Sequence, residues 1–309
     1  MKIGLLNCGG TITENYQADG TIQRLLARDL IALSAQADWI GYDIDPVDSC
    51  DLTFASLCRA RDVMRQDQES DAFVLCCGTD AMEDVAYCAA LLFDRERPVV
   101  LTGAAIPGGN ANADGPRNLA DAANLARAMS RGAGALVAFA GRIFDPASVV
   151  KLWPQGIQPF GPETAIRGFI DADFVTLAGS GIVDETYTDL DVSDLGARVA
   201  IVTETFGMLV GFPDIAGLDG IVVAGKGAGG FSALSERLLS EAAKHIPVVL
   251  STRCAQGFRV NPAVSKYAYG HAHNLGLITA GYDGLNASKA RIRLIAELGR
   301  AHRGDAASR

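Results

Sequence analysis

Two short Gly-Thr motifs place hydroxyl groups where they could attack a carbonyl. Asn7-Cys8-Gly9-Gly10-Thr11-Ile12 follows the apolar run Lys2–Leu6, and Cys77-Gly78-Thr79-Asp80 follows Asp71–Cys76. Both runs read as strands of an open parallel sheet, whose ligands bind beyond the carboxyl ends of the strands. Thr11 and Thr79 are therefore expected on one rim, facing one small molecule. The glycines before each Thr let the backbone turn sharply and bring its N–H groups close to that molecule. Such a rim supplies a nucleophile and an oxyanion hole together.

These motifs, their spacing and their flanks closely resemble the asparaginase/glutaminase family of threonine amidohydrolases. Gly9-Gly10-Thr11-Ile12 is similar to the family's first Thr motif, and Gly78-Thr79-Asp80-Ala81-Met82-Glu83 to its second. Pro98-Val99-Val100-Leu101-Thr102-Gly103-Ala104 and Ala113-Asp114-Gly115-Pro116-Arg117-Asn118-Leu119 follow in family order, with weaker agreement to the C-terminus. The resemblance implies an asparaginase-like α/β fold and hydrolysis of a small-molecule side-chain amide to acid and ammonia through an acyl-enzyme. It implies no cofactor. The expected assembly is a homodimer or homotetramer, its active sites shared between the N-domain of one subunit and the C-domain of another.

Thr11 is the first candidate nucleophile. A Thr hydroxyl is weak at neutral pH and needs a base or a positioned charge nearby. Thr79 and Asp80 arrive from the second motif. Lys151 follows Phe144-Asp145-Pro146-Ala147-Ser148-Val149-Val150, which resembles the family segment carrying its active-site Lys. A partly desolvated Lys amine loses its proton readily and can accept one from Thr79. Asp80 would orient that amine or hold a substrate ammonium group. Tyr16, in the loop Thr13–Thr21, is a candidate lid residue reaching the same hydroxyl. The residues alone leave open which Thr attacks; the family's account gives the acyl-enzyme to the first. By resemblance Ser49 binds the substrate carboxylate, and Gly10, Gly78, Cys50 and Ala104 complete the candidate binding set with Asp80.

Each assignment has a plainer rival. Thr11 could be a turn residue, Asp80 a helix cap, Lys151 a solvated surface residue, and Tyr16 a ring packed on the domain edge. Leu152-Trp153-Pro154 departs from the family's polar run after the Lys. Cys77 stands where the family often has His. Cys8, Cys50 and Cys77 are expected to converge on the pocket, as redox-sensitive thiols or as small buried apolar groups. Many family members complete the pocket with a partner-subunit Asn, sometimes an acid. The matching Gly225–Ser232 has no Asn, and Cys254–Lys266 has no Asp or Glu. That removes a hydrogen bond to a free α-ammonium worth about 1–3 kcal/mol.

The elements around these residues alternate. Strands are expected at Lys2–Leu6, Trp39–Pro46, Ala72–Cys76, Val99–Thr102 and Ala135–Phe139, with helices at Leu52–Arg65, Ala81–Leu92 and Asn118–Ser130. Continuous apolar strands between helices indicate a parallel sheet covered on both faces. An acidic connector around Phe174–Gly196 precedes a second α/β set: Arg198–Val202, Gly220–Ala224, a helix Ala233–Lys244, Pro247–Ser251 and a C-terminal helix Ser288–Arg300. The domains expected are a larger N-terminal catalytic α/β domain over 1–180, a linker over 181–197 and a smaller C-terminal α/β domain over 198–309. The 309 residues suit two domains.

A formal charge of −9 argues against nucleic acid or an anionic membrane as partner. The opening apolar residues are needed as a strand, so no secretory leader is read there. Seven cysteines, an odd count, fit free thiols in the cytoplasm. His271 and His273 alternate as on a strand, and no metal is assigned. The alternative functions are the same chemistry on glutamine, a D-amide or an amide lacking the free amino group, or a non-catalytic binder of a small anion. The first loop is not Gly-x-Gly-x-x-Gly, which disfavours a phosphate-binding Rossmann protein.

Overall fold

The computed structural model describes residues 1–307 except 35–36, 180–182, 184, 208–211 and 256–270, with side chains described as far as Gly304. The chain divides into two compact units, Met1–Asp189 and Leu190–Arg309.

The first unit is built on an eight-stranded sheet among the described residues. Its elements in chain order are β1 (Lys2–Gly9), the hairpin β2 (Glu14–Tyr16) and β3 (Ile22–Arg24), α1 (Ala27–Ala32), β4 (Asp38–Val47), α2 (Phe54–Gln66), β5 (Ala72–Cys76), α3 (Met82–Leu92), β6 (Val99–Thr102), α4 (Gly115–Ala128), β7 (Ala135–Phe139), β8 (Arg142–Phe144), the short ribbon β9 (Val150–Lys151) and β10 (Phe160–Gly161), β11 (Ile166–Asp171) and β12 (Phe174–Leu177). The sheet order is β12-β11-β8-β7-β6-β5-β1-β4. From β4 to β7 the pairings are parallel; β8, β11 and β12 extend the sheet antiparallel.

The packing follows from period-2 alternation. Ile3 and Leu5 of β1, Ala72, Val74 and Cys76 of β5, and Leu136 and Ala138 of β7 pack in one core with α4 residues Leu119, Ala122, Ala123 and Ala126 and with Leu30 of α1. The α4 spacing is that of an amphipathic helix laid on a sheet, and Pro116 opens its first turn. Residues of opposite parity, such as Leu6, Phe73 and Leu75, are fully buried on the other face, the side of α2 and α3. Each such leucine contributes about 1.5–3 kcal/mol of burial.

Connectivity creates the feature that matters for function. The chain leaves β1 for β4 on one side, then crosses back to β5 on β1's other side and continues outward to β6 and β7. The order reverses between β1 and β5, where an open sheet opens a crevice beyond its strand ends.

The second unit holds the parallel strands β13 (Val199–Thr203), β14 (Gly220–Gly225) and β15 (Val248–Thr252), with α5 (Ala233–Ala242) and a long C-terminal helix α6 (Ala287–Ala307). Ser232 caps α5 by accepting the Ser235 N–H at 3.1 Å. Leu239 and Ala242 of α5 pack on Ile221, Val223, Val248 and Leu250.

Several expectations change. The segment after Thr11 is an ordered hairpin rather than a free loop. Phe174–Leu177, read as the start of a connector, is strand β12, paired antiparallel with β11; four residues are too few to separate from the polar segment that follows. Residues 271–274 form a helical turn, so His271 and His273 do not alternate along a strand. No helix among the described residues is long and apolar enough to cross a membrane.

Candidate active site

The first Thr motif leaves β1 through two glycines in the left-handed region, Gly9 at φ 84° and Gly10 at φ 82°. The Gly10 N–H donates to Val47 O at 3.1 Å. A buried network fixes this turn: Asn7 Nδ2 donates to Asp43 Oδ1 at 2.8 Å, and Asn7 Oδ1 accepts the Gly9 N–H at 3.0 Å. Thr13 Oγ1 then closes back on Gly10 O at 2.7 Å. Thr11 opens the resulting 3-10 turn and is half-buried. Among the described residues its hydroxyl makes no hydrogen bond, which leaves it available to a ligand.

The second motif meets the first through backbone alone. A Cβ on Gly10 would lie 2.2 Å from Gly78 N and 2.3 Å from Gly78 Cα. Only glycine fits there. Ser49 joins them: a Cβ on Gly78 would lie 2.7 Å from Ser49 Oγ. Ser49 is buried, and its Oγ accepts the Ala81 N–H at 3.3 Å. Gly10, Gly78 and Ser49 therefore converge from the ends of β1, β5 and β4.

Thr79 and Asp80 precede α3, and Lys151 reaches them from β9. Lys151 Nζ donates to Thr79 Oγ1 at 2.9 Å and to Asp80 Oδ1. The Lys151 side chain is 14% exposed and the Asp80 side chain 67%. The ammonium is thus largely sheltered while its counter-charge faces solvent. The Lys151 backbone N–H donates to Glu83 Oε2 in the first turn of α3. Leu152, where the sequence departs from the family, stays in the ribbon: its N–H donates to Pro159 O at 2.8 Å.

Ala104, at the end of β6, is buried beside the first motif. A Cβ on Gly115 would lie 3.1 Å from Ile12 Cγ1 and 3.5 Å from Ala104 Cβ. The loop after Ala104 is held by Asp114, which accepts the N–H groups of Ala105 and Ile106 at 3.0 and 2.8 Å. Tyr16 lies in β2, 43% exposed. Its hydroxyl makes no hydrogen bond to Thr11 among the described residues. Cys50 occupies an exposed 3-10 turn beside Ser49.

The thiols differ sharply in environment. Burial pushes Cys8 up to about 12, and Cys76 and Cys77 rise for the same reason. Such thiols hold their protons and pack as small apolar groups. Among the described residues no three His, Cys, Asp or Glu side chains stand grouped to hold a metal ion.

Sequence reasoning gave no role to Glu83 or Asn7, because the Lys151 N–H that one accepts and the Gly9 N–H and Asp43 carboxylate that the other joins are partners no motif displays. Of the C-terminal stretch Cys254–Lys266, only Cys254 and Ala255 lie within the described residues.

Comparison with known proteins gives the family. Residues 2–173 match the family model described as Asparaginase, N-terminal, and residues 198–308 the Glutaminase/Asparaginase C-terminal domain. A probable L-asparaginase of Deinococcus radiodurans is 35% identical over 73% of this chain and 70% of its own. A probable periplasmic L-asparaginase of Haemophilus influenzae is 32% identical over 76% of this chain and 68% of its own. The crystal structure of a probable cytoplasmic L-asparaginase from Campylobacter jejuni superimposes with a TM-score of 0.79 at 28% identity, covering 96% of this chain and 94% of that one. The paired Thr motifs at the strand-order reversal therefore sit in a chain that belongs to the asparaginase/glutaminase family of amidohydrolases.

Proposed function

We propose that this chain hydrolyses the side-chain amide of L-asparagine, with Thr11 as nucleophile. The observation that carries the reading is the contact of Lys151 Nζ with both Thr79 and Asp80, together with a Thr11 hydroxyl that makes no hydrogen bond among the described residues. In its neutral form Lys151 accepts the Thr79 proton, and Thr79 Oγ1 in turn takes the proton that Thr11 loses as it attacks; the same relay returns a proton to the leaving nitrogen. Thr11 Oγ1 adds to the amide carbon. Backbone N–H groups at the two Gly-Thr turns stabilise the oxyanion. The tetrahedral adduct expels ammonia after protonation of the leaving nitrogen, and water then cleaves the acyl-Thr ester to release the acid.

Ser49 is assigned to the substrate carboxylate, supported by its burial against Gly78. Asp80 serves the ammonium group as well as Lys151, which its exposure permits. Gly10, Gly78, Cys50 and Ala104 line the site, and Tyr16 covers it. The catalytic domain is 1–180, joined through 181–197 to the C-terminal domain 198–309. The enzyme works in the cytoplasm as a homodimer or homotetramer with shared sites.

A second reading keeps this chemistry and changes the amide. It is favoured by the absence of Asn from Gly225–Ser232, which leaves the α-ammonium short of a partner. Ammonia release from L-Asn, D-Asn, L-Gln and an Asn lacking its amino group, run with wild type and Thr11→Ala, tests both. Thr11-dependent turnover fastest on L-Asn supports the first reading. Thr11-dependent turnover confined to the others moves the substrate, and turnover that survives Thr11→Ala removes Thr11 as nucleophile.

A further inference from the structure

We infer that Glu83 is a positioning residue that holds Lys151 at the distance its proton transfer needs, an inference that rests on the proposed role of Lys151. The ribbon carrying this lysine is slight. β9 has only Val150 and Lys151, paired with Gly161 and Phe160. The neighbouring N–H groups of Val149 and Leu152 bond to Asp145 and Pro159, inside the same segment. The Lys151 N–H instead crosses to Glu83 Oε2.

Glu83 lies in the first turn of α3, three residues beyond Asp80 and four beyond Thr79. One helix start therefore grips Lys151 at both ends. Thr79 and Asp80 take the ammonium, and Glu83 takes the backbone from which the side chain springs. Lys is a flexible four-carbon stem, so fixing its head alone leaves the stem's base free to drift. A displacement of about 1 Å in such an assembly costs on the order of 100-fold in rate. The carboxylate of Glu83 removes that freedom with one charge-assisted hydrogen bond.

The test compares Glu83→Ala, Glu83→Gln, Lys151→Ala and the double variant Glu83→Ala/Lys151→Ala, with kcat normalised to the folded fraction from thermal melts. Glu83→Ala is expected to lose about 10- to 100-fold in kcat with KM within about threefold. Glu83→Gln keeps an oxygen that accepts the same N–H, so its kcat and pH profile stay near wild type. In the double variant the Glu83 change adds nothing to the Lys151 loss, because its effect passes through that lysine. Wild-type kcat in Glu83→Ala, or losses that multiply in the double variant, overturns the inference while leaving the relay standing. Full turnover by Lys151→Ala overturns the relay and the inference together.

Discussion

Lys151 Nζ stands 2.9 Å from Thr79 Oγ1, although 72 residues separate them along the chain. The contact links a two-residue ribbon to the end of a central strand, and nothing in local propensity would place it. Replacing Lys151 with Met removes the proposed proton acceptor while keeping most of the stem's packing. Turnover of the best amide is expected to fall about 10²- to 10⁴-fold, with KM changed little. Steady-state ammonia release decides it, and a variant retaining a tenth of wild-type kcat would count against proton transfer by this residue.

Gly10 and Gly78 share a backbone contact that admits no Cβ. Gly10→Ala meets Gly78 N at 2.2 Å and places alanine at φ 82°, so it should cost on the order of 2 kcal/mol and separate the two Thr turns. Gly132→Ala is the control: φ 88° with nothing within 4 Å. The expected result is a lower melting temperature for both variants and lost turnover only for Gly10→Ala. Equal effects would mean that φ alone, not contact between the motifs, sets the requirement.

Thiol chemistry separates surface from interior. Cys50 and Cys254 are exposed, whereas Cys8, Cys76 and Cys77 are buried with their thiols pushed upward by desolvation. Iodoacetamide at pH 8 should modify Cys50 and Cys254 in the native protein and reach the other three only after unfolding. Peptide mapping by mass spectrometry reads this directly. Rapid native labelling of Cys8 or Cys77 would mean that those thiols open onto the site.

Asp121 introduces a pH dependence in stability. Burial raises its carboxyl above the ordinary value, and the Arg117 guanidinium, 2.7 Å from Oδ1, offsets this only in part. Its Oδ2 has no hydrogen-bond partner among the described residues. With the folded-state pKa above the unfolded one, the folded state binds the proton more tightly. Its contribution to stability is greatest below the unfolded pKa and is lost as pH rises through the folded one. Asp121→Asn should therefore melt about 1–3 °C higher than wild type at pH 7 and show no advantage near pH 3. A destabilised Asp121→Asn at neutral pH would show that its ion pair with Arg117 outweighs burial.

The parts of the fold that a reader of the sequence can see are those with one environment along their length. Ala72–Cys76, Val99–Thr102 and Ala135–Phe139 are buried on both faces, so they read as uninterrupted apolar runs. The hairpin of β2 and β3 does not, because its residues are exposed or half-buried and three-residue strands give too little pattern. Phe174–Leu177 is hidden for a related reason: it consists of four exposed or half-buried residues, Phe174 being 80% exposed, that run straight into an acidic connector. Within the candidate site, side-chain types single out Thr11, Thr79 and Asp80, and only a matching motif points to Lys151. Glu83 and Asn7 stay invisible because the groups they meet, the Lys151 peptide N–H for one and the Gly9 N–H and Asp43 carboxylate for the other, lie where no side-chain pattern points.

The hairpin after Thr11 has a mechanical consequence. The Tyr16 N–H donates to Gly108 O at 2.9 Å, and the Gly108 N–H donates to Glu14 O at 2.7 Å. A Cβ on Gly109 would lie 2.0 Å from Tyr16 O. Strand β2 is thus riveted to the loop beyond β6, so swinging the whole hairpin outward would shear backbone hydrogen bonds on both sides. What can flex more cheaply is the tip, residues 17–21, whose hydrogen bonds among the described residues all stay within the hairpin: its own turn, Asp19 holding Thr21, and Gln17 reaching Asn15 and Gln23. The hairpin behaves less like a hinged door than like a fixed post with a pliant cap, so any movement over the proposed site is confined to five residues rather than shared by the unit's framework.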